Sequence, residues 1–291
     1  MVNGMPFGAA FFSVLICILF GANPAVMKIS LKGLGPFTNA AIRFSFAALC
    51  ILLWARATGK PLSLKKEQFV RIALLGVLFS FQLSFFFIGI SKTTATHGAL
   101  IMNLQPFVVM VLAHFFIPDD GITFKTVTGL IFGFAGVLIL LADAPFGGGM
   151  FEGDLFVLAA VLLWGINAVF TKRIITTIHP VTITLYPMLL ASPVFILNAF
   201  LWNELTFATF DTGIVLALAY QILVTASFGM VAWNYLISRY GATNLHSFIF
   251  IMPLSGVFLG VFMLGEAITP YLVVAMIMVT TGLIIVNRRC R

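Results

Sequence analysis

An all-α integral membrane protein of about ten transmembrane helices, built as two inverted five-helix repeats, follows from three features of this sequence. Of its 291 residues, 61% are hydrophobic and only 9% are charged, more apolar surface than a water-soluble domain can hide. Stretches of about 20 apolar residues, each long enough to cross about 30 Å of hydrocarbon, recur along the chain. The chain also matches itself at a nearly constant offset.

Taken in order, charges and turn residues bound spans at residues 7–27, 37–55, 69–90, 98–117 and 124–141, and then at 155–171, 181–202, 213–237, 245–264 and 271–286. No Lys or Arg precedes the first span and no small-residue cleavage site follows it, so it is expected to stay as a helix and not to be removed as a signal peptide. The connectors at 32–36, 58–67, 118–121, the glycine-rich 145–154 and 203–211 carry turn residues, and none is long enough to fold alone. Cys17 and Cys50 fall in spans and Cys290 in the tail, a spacing of neither a disulfide framework nor a metal cluster. No metal, cofactor or catalytic residue is expected.

The formal charge of +7 reads as a topology signal. With ten spans, Arg56, Lys60, Lys65, Lys66, Arg71, Lys125, Lys172, Arg173, Arg239, Arg288, Arg289 and Arg291 share one side, against Lys28, Lys32 and Lys92 on the other. Positive residues collect in the cytoplasm, so both termini are expected there, with the chain a multi-pass protein of the cell inner (plasma) membrane. These charges sit in short loops without a basic domain to gather them, which argues against nucleic acid. The expected partners are the lipid bilayer and a small-molecule substrate; no feature encodes an oligomeric state.

Phe20-Gly21-Ala22-Asn23 matches Trp164-Gly165-Ile166-Asn167 at an offset of 144, which Lys28/Lys172 and Pro36-Phe37-Thr38/Pro180-Val181-Thr182 keep. Ser80-Phe81/Ser227-Phe228 and Pro106/Pro253 lie at 147, and Ile122-Thr123/Ile268-Thr269 and Gly136/Gly282 at 146. The repeats divide as 1–144 and 145–291. Five spans is an odd number, so the second copy runs inverted. Such repeats place substrate sites near mid-membrane where the halves meet, with alternating access by rocking.

In order and in duplicate, these residues resemble the drug/metabolite transporter superfamily, specifically its EamA-type ten-helix members. Trp164-Gly165-Ile166-Asn167, Ala41-Ile42-Arg43-Phe44, Ser91-Lys92-Thr93-Thr94-Ala95 leading to Leu104-Gln105-Pro106, and Leu264-Gly265-Glu266 followed by Gly282-Leu283-Ile284-Ile285 carry the resemblance. It implies a secondary transporter of small organic metabolites such as amino acids, often an exporter, with a cavity between the halves. The first half departs from the pattern at Pro118-Asp119-Asp120-Gly121, where a Gly-Glu is replaced.

Polar groups are costly in hydrocarbon and should face other helices or a wet cavity. Asn23 and Asn167 combine an amide with a neighbouring glycine, and Pro24 further frees the carbonyl of Phe20; the pair is expected to meet across the pseudo-two-fold axis and bind substrate. Trp164, Gln82 and Asn234 are their companions. Tyr220, Ser227, Asn234 and Ser238 form one polar stripe, and Ser80, Ser84, Phe87 and Ser91 its repeat equivalent. Pro106 and Pro253 break helices beside Asn103, Gln105 and Ser247, and His97 and His246 flank those prolines. Close packing is the competing reading of the serines, and kinks with interhelical hydrogen bonds that of the asparagines and prolines. Arg43 is the one charge well inside a span; a structural role is preferred because its repeat partner is Pro187. Gly129/Gly133 and Gly256/Gly260 have helix-packing spacing, and Glu266 is read as a cap on the connector into the last helix. Two other functions compete: a proton-coupled exporter of cationic drugs, for which no mid-membrane acid is found, and a membrane-embedded enzyme, for which no nucleophile, metal set or carboxylate pair is found.

Overall fold

The computed structural model describes residues 6–116, 124–143, 147–174, 178–202, 204, 211–240, 245 and 248–287. The predictions that fall on Asp119, Asp120, His246, Ser247 and Cys290, and on the Ser238 side chain, lie outside the described residues.

The first half consists of α1 (Phe7–Ser30), α2 (Pro36–Ala57), α3 (Lys66–Lys92), α4 (Ala95–Met102), α5 (Gln105–Phe116) and α6 (Phe124–Leu141). The second consists of α7 (Gly149–Ile174), α8 (Pro180–Leu201), a composite span, α11 (Ile251–Leu264) and α12 (Pro270–Asn287). The composite span joins α9 (Thr212–Ala219), a π-helical segment (Tyr220–Gly229) and α10 (Met230–Tyr240). Among the described residues, eight spans are long and apolar enough to cross a membrane, and α11 and α12 are shorter apolar helices. All of these elements are helical.

Two spans are more broken than their hydropathy foretells. The fourth, read as continuous over 98–117, divides at Asn103 and Leu104 into α4 and α5, because Pro106 supplies no amide to the fourth residue before it. The eighth contains ten residues of π-helix, a wider turn that accumulates at functional sites. Ser227 Oγ there donates to the carbonyl of Ile222, five residues back, at 2.7 Å.

Packing displays the inverted two-fold directly. Helix α2 packs on α8 and α6 on α12, each against its own repeat counterpart, and α4 packs on α11, the counterpart of α5. The remaining helices exchange partners: α1 packs on α11 and on the composite span, while α7 packs on α5, α4 and α3. Single hydrogen bonds repeat the pattern. Thr38 Oγ1 donates to the Glu204 carbonyl at 3.0 Å, and its counterpart Thr182 donates to the Pro61 carbonyl at 3.0 Å.

Lipid tails give helices no hydrophobic reason to associate, so close contact carries the assembly. A Cβ on Gly282 would lie 2.7 Å from the Gly129 carbonyl oxygen, and one on Gly153 2.9 Å from that of Gly89. Between these contacts Phe44 packs edge-on to Phe79 and Phe87, and against Phe195 of α8. Phe11, Phe46, Leu53, Phe81, Ile131, Leu138, Phe200 and Phe258 are exposed on the outside, where a spanning bundle meets acyl chains.

Candidate functional site

The polar residues concentrate where α1 and α2 of the first half meet the π-helical segment of the second. Arg43 Nη2 donates to Thr225 Oγ1 at 3.2 Å. That hydroxyl lies 3.2 Å from Asn23 Oδ1 and 3.0 Å from the Gln221 carbonyl, between which its one proton is shared. Gln221 Nε2 and Asn39 Nδ2 both donate to Ser30 Oγ, the former at 2.8 Å, and Ser30 donates to the Met27 carbonyl at 2.9 Å. The serine is thereby saturated. Asn39 and Arg43 lie four residues apart on α2, a spacing that puts both on one face. The Tyr220 hydroxyl ties the segment to α1 through the Leu19 carbonyl, at 2.8 Å.

What the network leaves unpaired is informative. Asn39 Oδ1, Arg43 Nε and Gln221 Oε1 are buried without a hydrogen-bond partner, and each such group costs about 1–3 kcal/mol. Arg43 is 7% exposed and no carboxylate pairs with it among the described residues; its guanidinium lies 5.1 Å from the Phe44 ring centre and 6.0 Å from that of Phe87. One cationic N–H donor and two amide oxygens are the complement of a carboxylate and an ammonium group.

The site residues expected from sequence are distributed over this cluster and its repeat equivalent. Asn23, with its Nδ2 3.4 Å from Met27 Sδ, and Tyr220 belong to the network, and Ser227 to the same π segment. Asn167 lies on α7, accepts from Thr171 at 3.3 Å and keeps Nδ2 unpaired; no hydrogen bond joins it to Asn23. Gln82 is 1% exposed with Oε1 unpaired. Trp164 packs edge-on to Phe86 at 6.1 Å, and Asn234 reaches across to Thr184 at 2.9 Å. Asn103 donates to the Ala99 carbonyl at 2.6 Å, closing the end of α4. Sequence reasoning passed over Asn39, Gln221 and Thr225 and treated Arg43 as structural. The available signal was Gln221 and Thr225, four apart in an otherwise apolar span.

One face of the bundle is laced together more heavily. Glu266 accepts from the amides of Ala95 and Thr96 at 2.6 and 2.8 Å. It therefore caps α4 in the other half and not the connector into α12, because the free amides of an N-terminus attract a carboxylate. Glu204 likewise accepts from Phe37 N at 2.7 Å and Thr38 N at 3.4 Å, capping α2; burial pushes its carboxyl above the ordinary value, and those two amides partly offset the rise. A cavity of about 320 Å³ opens on the Glu266 face, lined among others by Lys28, Lys32, Ser91 and Glu266, with Lys28 Nζ donating to the Ser91 carbonyl at 3.3 Å.

A buried polar cluster between inverted halves is what a carrier needs, and the sequence of each half carries the same signature: residues 7–142 and 151–288 both match the EamA-like transporter family. The chain belongs to that family. Among relatives of this EamA-like chain, an uncharacterized transporter of Bacillus subtilis, YyaM, is 26% identical over 277 residues, covering 92% of this chain and 89% of that protein. Proteins described as probable amino-acid metabolite efflux pumps, from Salmonella typhimurium and Escherichia coli, are each 24% identical over 286 residues, covering 94% of this chain and 93% and 92% of theirs. A solved crystal structure with 18% sequence identity shares the fold at a TM-score of 0.70, covering 97% of each chain.

Proposed function

We propose that this EamA-like protein is a secondary transporter, working as an exporter, of small zwitterionic metabolites such as amino acids. The observation that carries this reading is the unpaired set around Arg43. A buried guanidinium without a carboxylate partner among the described residues, beside two unpaired amide oxygens, favours a ligand bringing both an anion and an ammonium group. The same cation disfavours a cationic drug as cargo. Asn23, Asn167, Gln82, Trp164, Asn234 and Asn103 are proposed to line the path, together with Ser227, Tyr220 and His246. The halves, divided near residue 144, would rock about the α2–α8 contact to expose the cluster to each side in turn. Export is the direction suggested by relatives described as efflux pumps.

Purified protein in sealed proteoliposomes should exchange a labelled amino acid for an unlabelled one without nucleotide. Absence of exchange across a panel of zwitterionic solutes would sink the proposal, and solute turnover without flux would point to an enzyme.

A further inference from the structure

On the Glu266 face, His97 stands between two carboxylates. Its Nδ1 lies 2.8 Å from Asp154 Oδ2 and its Nε2 3.4 Å from Asp143 Oδ2. Asp154 also accepts from Thr93 Oγ1, and Asp143 from Thr269 Oγ1 at 2.6 Å. The His97 and Asp154 side chains are 3% and 0% exposed, the Asp143 side chain 14%. The cluster fastens α4 of the first half to α7 of the second, and the end of α6 to the start of α12.

A neutral imidazole has one donor and one acceptor, whereas an imidazolium donates from both nitrogens. Facing a carboxylate oxygen on each side, His97 satisfies both only when it carries the second proton. In the neutral form Nδ1–H serves Asp154, and the Nε2 lone pair opposes the Asp143 anion. Asp143 is the most exposed member, so water at this face reaches Nε2 first. Other charges at this end of the packed elements are Lys28 on α1, Lys92 on α3, Glu152 on α7 and Glu266 after α11; α12 brings none, and the hydroxyl of Thr269 just precedes it. Lys92 is occupied by Glu152 at 2.8 Å, and Glu266 by the α4 amides.

We propose that His97, held by Asp154 and Asp143, is a proton-binding site whose occupancy closes this face of the protein. A proton from water adds to Nε2, the cluster charge goes from two negative to one negative, and the new N–H bonds to Asp143. The ends of α4, α6, α7 and α12 are then tied. Loss of the proton sets a lone pair against an anion and loosens them. Given the transporter reading above, on which this role rests, that proton is the one exchanged for substrate.

The test uses the full-length protein in lipid nanodiscs, with Cys17, Cys50 and Cys290 replaced and nitroxide labels at Gly149→Cys and Ala267→Cys. Electron paramagnetic resonance should show the label separation shortening as the pH is lowered. His97→Gln should abolish that shift and Asp143→Asn diminish it. A label separation that does not change with pH in the parent protein, or an undiminished shift in His97→Gln, overturns the proposal; if His97→Gln does not fold, an undiminished shift in Asp143→Asn does so. The coupling role is read separately in proteoliposomes containing a pH dye. Substrate efflux should carry protons inward in the parent and not in His97→Gln, while substrate-for-substrate exchange persists in both. Proton movement undiminished in His97→Gln overturns the coupling role; exchange absent from the parent overturns the transporter reading, and the resonance measurement still decides the proton site.

Discussion

At the scale of single residues, Arg43 concentrates the tension between stability and function. A charge buried without a counter-ion destabilises its surroundings, and replacing it with an apolar side chain of similar length is often neutral or stabilising. Arg43→Met should therefore leave the thermal unfolding temperature in detergent unchanged or higher. It should also weaken amino-acid binding by about 1.5–3 kcal/mol, roughly ten- to a hundredfold. Calorimetric titration with normal affinity would remove Arg43 from the site. Thr225→Val cuts the link from Arg43 to Asn23 and should lower affinity by a smaller factor in the same assay. Single residues were also where the sequence was least readable. Arg43 was visible as an intramembrane charge, but its importance comes from Thr225, almost two hundred positions away, and no local pattern encodes which helix will face it. Asp154, placed in a connector by its glycine-rich surroundings, lies within α7 and is fully buried, where Thr93 from the turn after α3 and His97 from α4 bond to it.

Among elements, the helix ends are fixed by carboxylates lent from the opposite half. Glu204→Ala removes the Oε2 that accepts both bonds at the start of α2 and should cost about 1 kcal/mol, the usual worth of a cap; Glu204→Gln retains an acceptor and should cost less. The sign with pH follows from its raised carboxyl value. A group whose folded-state pKa is raised contributes stability below its unfolded value, near 4.5, and loses it as pH rises through the folded value. Wild type should thus gain on Glu204→Gln as pH falls from about 7 toward about 4.5. Melting curves of the two proteins that run parallel over this interval would contradict the assignment. Between α6 and α12 the decisive groups are glycines. Gly282→Ala places a methyl 2.7 Å from the Gly129 carbonyl oxygen and should destabilise by about 1–3 kcal/mol through overpacking, read as a lower midpoint in denaturant. The glycine spacing in α6 and α11 was legible as packing before any coordinates. The break beside Asn103 was marked by Pro106, whereas the π turn of the eighth span was not legible, since hydropathy averages over whole spans and is blind to how each turn is wound.

For the whole molecule, the ten apolar segments and their inverted duplication could be read from composition and offset alone, because a bilayer demands both length and internal hydrogen bonding of every span. Orientation is a further consequence of the charge bias. A cysteine at Gly149, in a background lacking Cys17, Cys50 and Cys290, should react with an impermeant thiol reagent in intact cells, and one at Lys65 only after permeabilisation. The reverse pattern would invert the topology while leaving the fold untouched.

The duplication pairs the spans but not their chemistry. Against Asn39, Arg43, Gln221 and Thr225 the repeat sets Ile183, Pro187, Leu74 and Leu78. A perfectly symmetric pair of halves would make the two extreme conformations superimposable by the two-fold rotation and equal in energy, each half populated at rest. Lodging the polar groups on one side of the axis lifts that degeneracy. The empty carrier then has a preferred resting state, and the ligand's differential affinity for the two states is what must overcome the bias. On the transporter reading, such a bias fixes where the empty carrier rests, while the solute gradients fix the direction of net flux.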